Sequence, residues 1–281
     1  MIDIKSAISH AAKILKEKKI KTAVLDSEIL MLESIKKDNR YLITNSEKKI
    51  NKKNLKFFED LIIQRANRKP VAYLLKKKGF WKNEFIVSKD TLIPRPDTEL
   101  LVEQVLSLTK NKSKLRILDI GVGSGCILLS IIKEKKDFYA TGIDISKKCI
   151  EISKKNADKL NIKNKIKFFK SDIDNFSLDK YDLIVSNPPY IKKLDLKYLE
   201  KDIIRFEPKM ALDGGLDGIS VIRKVITRSS ELIKKNGKLI LEIGFDQSIK
   251  VKKILRDRGF YINKVVKDFG KNDRCIVSTK I

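Results

Sequence analysis

Histidine is almost missing from this 281-residue chain: His10 is the only one. That scarcity removes His-based catalysis and most metal sites. Cysteine is scarce as well. Cys126, Cys149 and Cys275 are odd in number and widely spaced, which argues against a disulfide framework and against a structural zinc site. No apolar run approaches the roughly 18 residues that a spanning helix needs. The first residues carry Asp3, Lys5, Lys13, Lys16 and Glu17 where a signal peptide would need an apolar core, so a cytoplasmic location is the expectation. Internal repeats and low-complexity segments are also lacking. No metal and no membrane partner are expected.

Acidic residues are outnumbered, 36 against 62 basic, for a net charge of +26. Such a balance invites a nucleic-acid partner. Two features weigh against it. Of the basic residues 51 are Lys and only 11 are Arg, whereas recognition of bases and phosphates favours the Arg fork. The charge is also spread, with +11 in residues 1–90 and +15 in the remainder, so no block stands apart as a basic arm. Abundant Lys, Ile and Asn read as a coding bias laid over an ordinary fold, and direct contact with nucleic acid is not required.

What is present alternates in character along the chain. Ile4, Ala7, Ile8, Ala11, Ile14 and Leu15 recur at helical spacing after the capping candidate Asp3. Val24–Ile35 and Leu55–Ala66 add two amphipathic stretches, so residues 1–68 are expected to form a small helical domain. Residues 69–92 are richer in aromatic and β-branched residues and predict a β-hairpin linker. In Ile93-Pro94-Arg95-Pro96-Asp97-Thr98-Glu99 the prolines hold the backbone extended, and Asp97 or Thr98 can cap a helix beginning near Glu99. From there to residue 281, strands are predicted at Leu115–Asp119, Tyr139–Asp144, Lys165–Phe169, Tyr181–Ser186 and Lys238–Glu242. Helices fall between them at Gly125–Lys133, Lys147–Leu160 and Ile219–Lys234. This alternation implies a parallel sheet covered on both faces, and two final strands, Tyr261–Phe269 and Cys275–Lys280, imply a terminal antiparallel hairpin.

Two short segments carry chemistry. Gly121-Val122-Gly123-Ser124-Gly125 lies between a strand and a helix, where backbone must approach a ligand without side-chain interference. Asp144 ends the next strand, placed to accept hydrogen bonds from both hydroxyls of a ribose. Asp172 ends the third strand and is a candidate acceptor for an adenine amino group. No Gly-Lys-Ser/Thr follows the loop, which disfavours a nucleoside triphosphate. Cys126 opens a helix, a setting that can lower a thiol pKa, although a small packing residue is the plainer reading.

The second segment is Asn187-Pro188-Pro189-Tyr190, directly after a predicted strand. An amide or aromatic amine nitrogen is a poor nucleophile because its lone pair is delocalised. The Asn187 side-chain oxygen and the Pro188 carbonyl offer two convergent acceptors for its hydrogens, and the prolines stiffen the turn that aims them. Tyr190 offers a flat face to a planar group. Glycine loop and catalytic turn together point to S-adenosyl-L-methionine (SAM) as methyl donor and to N-methylation.

The chain resembles the HemK/PrmC family of peptide chain release factor glutamine N5-methyltransferases. The likeness rests on Arg65–Leu75, Phe80-Trp81, Ile93–Glu103, the glycine loop and Asn187–Ile191, with Phe206-Glu207-Pro208, Ala211–Gly215 and Leu241–Gly244 beyond. It implies a class I SAM-dependent methyltransferase fold: a Rossmann-like, mostly parallel seven-stranded sheet with a C-terminal antiparallel hairpin, preceded by a small helical domain that binds the release factor. It implies methylation of the glutamine in the Gly-Gly-Gln loop of release factors 1 and 2 by a monomeric enzyme. Cofactor contacts carry onto Gly121, Val122, Gly123, Ser124, Gly125, Asp144, Asp172, Ile173 and Asn187. Catalysis carries onto Asn187, Pro188 and Tyr190, and glutamine binding onto Asn187, Pro188, Pro189 and Tyr190. Arg95 and Glu207 are expected to order the rim of the site. Two positions depart from the family pattern: Ile173 stands where an aromatic residue is frequent, and Lys76 where glycine is usual. A ribosomal-protein glutamine methyltransferase, a DNA or RNA adenine N6-methyltransferase and a non-catalytic binding module remain as alternatives.

Overall fold

The computed structural model describes residues 2–281. In chain order the helices are α1 (Ile4–Glu17), α2 (Ala23–Ile35), α3 (Asn39–Thr44), α4 (Lys52–Ala66), α5 (Val71–Leu75), α6 (Glu99–Leu108), α7 (Cys126–Glu134), α8 (Lys147–Lys159), α9 (Lys201–Phe206), α10 (Ser220–Leu232) and α11 (Ser248–Asp257). The strands are β1 (Lys77–Phe80), β2 (Asn83–Ile86), β3 (Arg116–Ile120), β4 (Tyr139–Asp144), β5 (Ile166–Lys170), β6 (Tyr181–Ser186), β7 (Ile233–Glu242), β8 (Phe260–Lys267) and β9 (Asp273–Lys280). They form two compact units, one of residues 1–76 and 200–206, the other of residues 77–199 and 207–281.

In the first unit, Asp3 caps α1 by accepting the backbone N–H of Ser6 at 2.8 Å, and α1 buries Ile4, Ala7, Ala11 and Leu15. These pack with Leu30 and Met31 of α2 and with Phe58, Leu61 and Ile62 of α4. The sequence pattern does not reveal why α9 joins this unit. Arg65 supplies the reason: its buried guanidinium contacts Asp26 at 2.7 Å and Asp202 of α9 at 2.6 Å. Burial opposes the charge of Arg65, but the two carboxylates outweigh it and raise its pKa. Losing the guanidinium would leave two largely buried carboxylates uncompensated, a cost of about 3–5 kcal/mol.

Residues 69–92 are not one hairpin. Val71–Leu75 is helical, entered from Pro70, whose fixed φ suits a helix start, and its apolar residues lack the period-2 alternation of a strand. Lys76 then turns the chain with φ 57°, the left-handed conformation that usually selects glycine. The departure at this position therefore leaves the turn itself intact. The hairpin comprises only β1 and β2, paired antiparallel, and it belongs to the second unit.

The second unit is built on a seven-stranded sheet of order β5-β4-β3-β6-β7-β9-β8, parallel except for β9, which runs antiparallel to both β7 and β8. Strands alternate their side chains between two cores. Ile117, Leu183, Val185 and Ile240 face α6, α7 and α8, whereas Leu118, Ile120, Ile184 and Leu241 face α10 and α11. Apolar burial on both faces explains the near-continuous hydrophobic runs of β3 and β6. Strand β7 begins at Ile233 rather than Lys238, and its pairing with β6 is irregular over this stretch, where Asn236 takes φ 64°. The chain order reverses between β3 and β6, and in such sheets ligands bind outside the carboxyl ends of the strands at that point.

Candidate active site

At that edge lies a cavity of about 520 Å³, lined by the loops that follow β3, β4, β5 and β6 and by the segment leading into α6. Its walls include Gly121, Val122, Gly123, Ser124, Asp144, Asp172, Ile173, Asn187, Pro188 and Pro189. Of the residues expected in the site, Gly125 and Tyr190 do not line it.

The glycine loop holds positive φ at Gly121 (78°), Gly123 (56°) and Gly125 (83°). A Cβ on Gly125 would also lie 2.8 Å from Leu129 Cδ1, so Gly125 closes the turn against α7. The loop is held at several points. The N–H groups of Gly121 and Val122 both donate to the Ile143 carbonyl at 2.9 Å, and Gly123 N–H donates to Asp144 Oδ2 at 2.9 Å. Two residues of α8 complete the support. Ser153 Oγ donates to the Gly123 carbonyl, and Asn156 Nδ2 to the carbonyls of Ser124 and of Ile86. Both are fully buried polar residues on the packed face of an amphipathic helix.

Asp144 accepts from Gly123 through one oxygen and from Ser146 N–H through the other, so its remaining lone pairs are available to hydroxyl donors. Burial raises its pKa, and those two backbone donors partly offset the effect. Asp172 Oδ1 caps the turn at Ile173–Asn175 by accepting from Asp174 N–H. Ile173 packs against the α10-side core while lining the cavity, presenting an aliphatic wall to a planar ring. A nucleoside with free ribose hydroxyls fits this donor and acceptor set, as SAM requires.

Asn187 projects its amide toward the start of α6, where Nδ2 donates to Thr98 Oγ1 at 3.1 Å. Thr98 stands at the N-cap of α6, as the sequence suggests, but its side chain makes no capping hydrogen bond; its hydroxyl accepts from Asn187 instead. Tyr190 is also placed differently. Its ring packs into the α10-side core and its hydroxyl donates to Glu242 Oε1 at 3.3 Å, so it is an anchor of the turn rather than a wall of the cavity. Burial, then the Glu242 charge, raises its pKa. Gln247, buried after β7, receives Gly244 N–H and donates to the carbonyls of Tyr190 and Gly218. Gly214 admits this packing: a Cβ there would lie 2.8 Å from Tyr190 Cα. At the rim, Glu207 accepts from Ile93 N–H at 3.2 Å and from Arg95 at 2.5 Å, tying together the two segments the sequence had singled out.

Cys126 lies in the first turn of α7, but burial pushes its thiol up to about 12, so it is a packing residue and not an activated nucleophile. Asp119 is the most perturbed carboxyl. It is wholly buried on the α7 face of β3, and neither oxygen completes a hydrogen bond. Burial and then the neighbouring Asp144 push its pKa from 3.8 up to about 8, with Leu128 N–H opposing. An acid with a raised pKa in the fold binds more protons folded than unfolded between those two values, so its contribution to stability is lost as pH rises through that window. We expect Asp119→Asn to show a shallower fall in Tm between pH 4 and pH 8 than the parent. Parallel curves in a calorimetric pH series would contradict this.

Among the described residues no cluster of His, Cys, Asp or Glu could hold a metal, and no helix is long and apolar enough to cross a membrane. Residues 94–216 match the methyltransferase small domain family and residues 6–75 the PrmC N-terminal domain family. A release factor glutamine methyltransferase of Clostridium acetobutylicum is 37% identical over 280 residues, covering 99% of this chain and 98% of that protein. Another, from Buchnera aphidicola subsp. Acyrthosiphon pisum, is 38% identical over 255 residues, 91% of each chain. A solved methyltransferase structure from Pyrococcus furiosus aligns with a TM-score of 0.54 at 16% identity, over 77% of this chain and 98% of that one, which bears on the fold alone. With a class I sheet and a cavity at its switch point, these likenesses identify the chain as a SAM-dependent methyltransferase that belongs to the release factor glutamine methyltransferase family.

Proposed function

We propose that this enzyme methylates the side-chain amide nitrogen, N5, of the glutamine in the Gly-Gly-Gln loop of peptide chain release factors 1 and 2, acting in the cytoplasm. One observation carries the reading. The Asn-Pro-Pro turn after β6 opens onto the same cavity as the glycine loop and Asp144, with the Asn187 Nδ2 committed to Thr98 and its oxygen therefore left for an incoming N–H. When bound, SAM supplies an electrophilic methyl group on a sulfonium. Asn187 Oδ1 and the Pro188 carbonyl accept the amide hydrogens and turn the nitrogen lone pair toward that carbon. The nitrogen–carbon bond forms as the carbon–sulfur bond breaks, and the methylated nitrogen, now strongly acidic, loses its proton to water. The work of the protein is positioning and electrostatic preorganisation.

To the helical unit of residues 1–76 and 200–206 we assign recognition of a release-factor surface other than the reacting loop; its match to the PrmC N-terminal domain family supports that assignment. The test is transfer of labelled methyl from SAM by the full chain, offered separately a release factor, its loop Gln→Ala variant, a ribosomal protein and adenine-containing DNA. Label on the intact release factor alone is expected. Label on DNA or on the ribosomal protein, without the release factor, would overturn the assignment.

A further inference from the structure

Asn187 presents a problem of polarity. An asparagine amide has almost the same shape with its oxygen and nitrogen exchanged, but only one orientation gives the substrate an acceptor. Thr98 alone cannot choose between the two, since a hydroxyl both donates and accepts. The decision passes to what the hydroxyl itself faces. Glu242, the last residue of β7, is 1% exposed and shares the α6 face of the sheet with Ile240, and the Thr98 hydroxyl lies beside its carboxylate. Its Oε1 receives the Tyr190 hydroxyl, and its Oε2 is buried without a hydrogen bond of normal geometry among the described residues.

We propose that Thr98 and Glu242 are positioning residues that set the orientation of the Asn187 amide, the carboxylate drawing the Thr98 proton so that Thr98 can only accept from Asn187 Nδ2. The inference rests on the reading of Asn187 Oδ1 as the acceptor for the substrate amide. A carboxylate has no proton to give, so the chain Asn187 to Thr98 to Glu242 runs in one direction only. A flipped Asn187 would set its oxygen against the Thr98 oxygen and turn its NH2 group on the substrate. Glu242 also anchors the other end of the turn through Tyr190, so one buried anion holds both Asn187 and Tyr190.

Protonation of Glu242 would release the constraint, because a carboxylic acid can donate to Thr98 and free its proton for Asn187 Oδ1. The groups that face Glu242 are Thr98 and Asp97 before α6, Tyr190 after β6, Arg274 and Cys275 on β9, and Cys126 on α7. Burial raises its pKa to about 7, opposed by Thr98, Arg274 and Tyr190, while Asp97 adds to the rise. Arg274 is itself held by Asp268 at 2.9 Å, with Asp97 at 3.7 Å. The switch between the two polarities therefore falls near neutral pH, and turnover should rise as Glu242 ionises.

The experiment uses the full chain with Glu242→Gln, Thr98→Val and Thr98→Ser, measuring kcat and KM for a release factor, SAM affinity by calorimetry, and Tm. Glu242→Gln and Thr98→Val should each lower kcat by roughly 10- to 100-fold, as when a positioned group at the reacting centre is misaimed, with SAM affinity changed less than about twofold. Thr98→Ser, which keeps the hydroxyl, should recover most of what Thr98→Val loses. The rise of kcat through pH 7 should vanish in Glu242→Gln. Independently of any substrate, the Asn187 side-chain NH2 signals in ¹⁵N NMR should titrate near pH 7 in the parent and not in Glu242→Gln. Equal losses in kcat and SAM affinity, or no recovery in Thr98→Ser, would reduce both residues to structural roles and overturn the proposal. An Asn187 NH2 signal indifferent to Glu242 would overturn it too. A parent enzyme inactive on the release factor but with that titration intact would instead count against the substrate assignment alone.

Discussion

Asn187→Ala is expected to lower kcat for release-factor methylation by roughly 10²–10³-fold, the loss that follows removal of one preorganised polar group at a reacting centre. The amide nitrogen of glutamine gives up conjugation to be methylated, and the Asn187 oxygen is the side-chain acceptor placed to compensate. Without it the Pro188 carbonyl acts alone. The loss should fall on kcat more than on KM, because the acceptor matters most when positive charge develops on nitrogen. Stability should change little. Asn187 is only partly buried, and the truncation removes one hydrogen bond, to Thr98 at 3.1 Å, worth about 1 kcal/mol. A variant with near-normal turnover would end the proposed chemistry, whereas one with a collapsed Tm would mean that the turn has a structural role as well.

The fold was legible because its elements obey local rules. Strands β4 and β6 fall on the predicted residues, and β3 and β5 are displaced by a single position, since each is an apolar run bounded by turn residues or charge. Residues 71–75 were misread for a physical reason: a short apolar run has no usable period, and helix and strand are distinguished there only by Pro70 before it and the left-handed Lys76 after it. Short α3 has only the run Tyr41-Leu42-Ile43, too short to show a period, and none of its residues is buried. In the site, the loop, Asp144 and the Asn-Pro-Pro turn could be placed by spacing, because each sits at a strand end. Thr98, Glu242, Gln247 and Asn156 could not. They are brought to the turn and loop from separate elements, and no pattern within one segment shows that a buried Glu at the end of β7 meets a Thr before α6. Long-range polar pairings of this kind become visible only once the sheet order is known.

Asp144→Ala is expected to weaken SAM binding by about 1–3 kcal/mol, the value of charge-assisted hydrogen bonds to an ionised acceptor, or roughly 5- to 150-fold in Kd. The carboxylate sits at the carboxyl end of β4 with Gly123 N–H at 2.9 Å on one oxygen and Ser146 N–H at 2.9 Å on the other. Two such donors leave a desolvated anion still short of partners, and its raised pKa records that shortfall. Ribose hydroxyls would supply the missing donors, so ligand binding and ionisation of Asp144 favour each other. Affinity should accordingly fall as pH drops through the raised pKa of Asp144, and that dependence should be lost in the Ala variant. Calorimetry with SAM and with S-adenosylhomocysteine isolates this binding term, since neither titration needs a methyl acceptor. Both ligands carry the same ribose, so both should weaken by the same factor. Equal weakening would tie Asp144 to the sugar; weakening of SAM alone would move its role to the sulfonium, and unchanged affinity for both would remove Asp144 from the cofactor site.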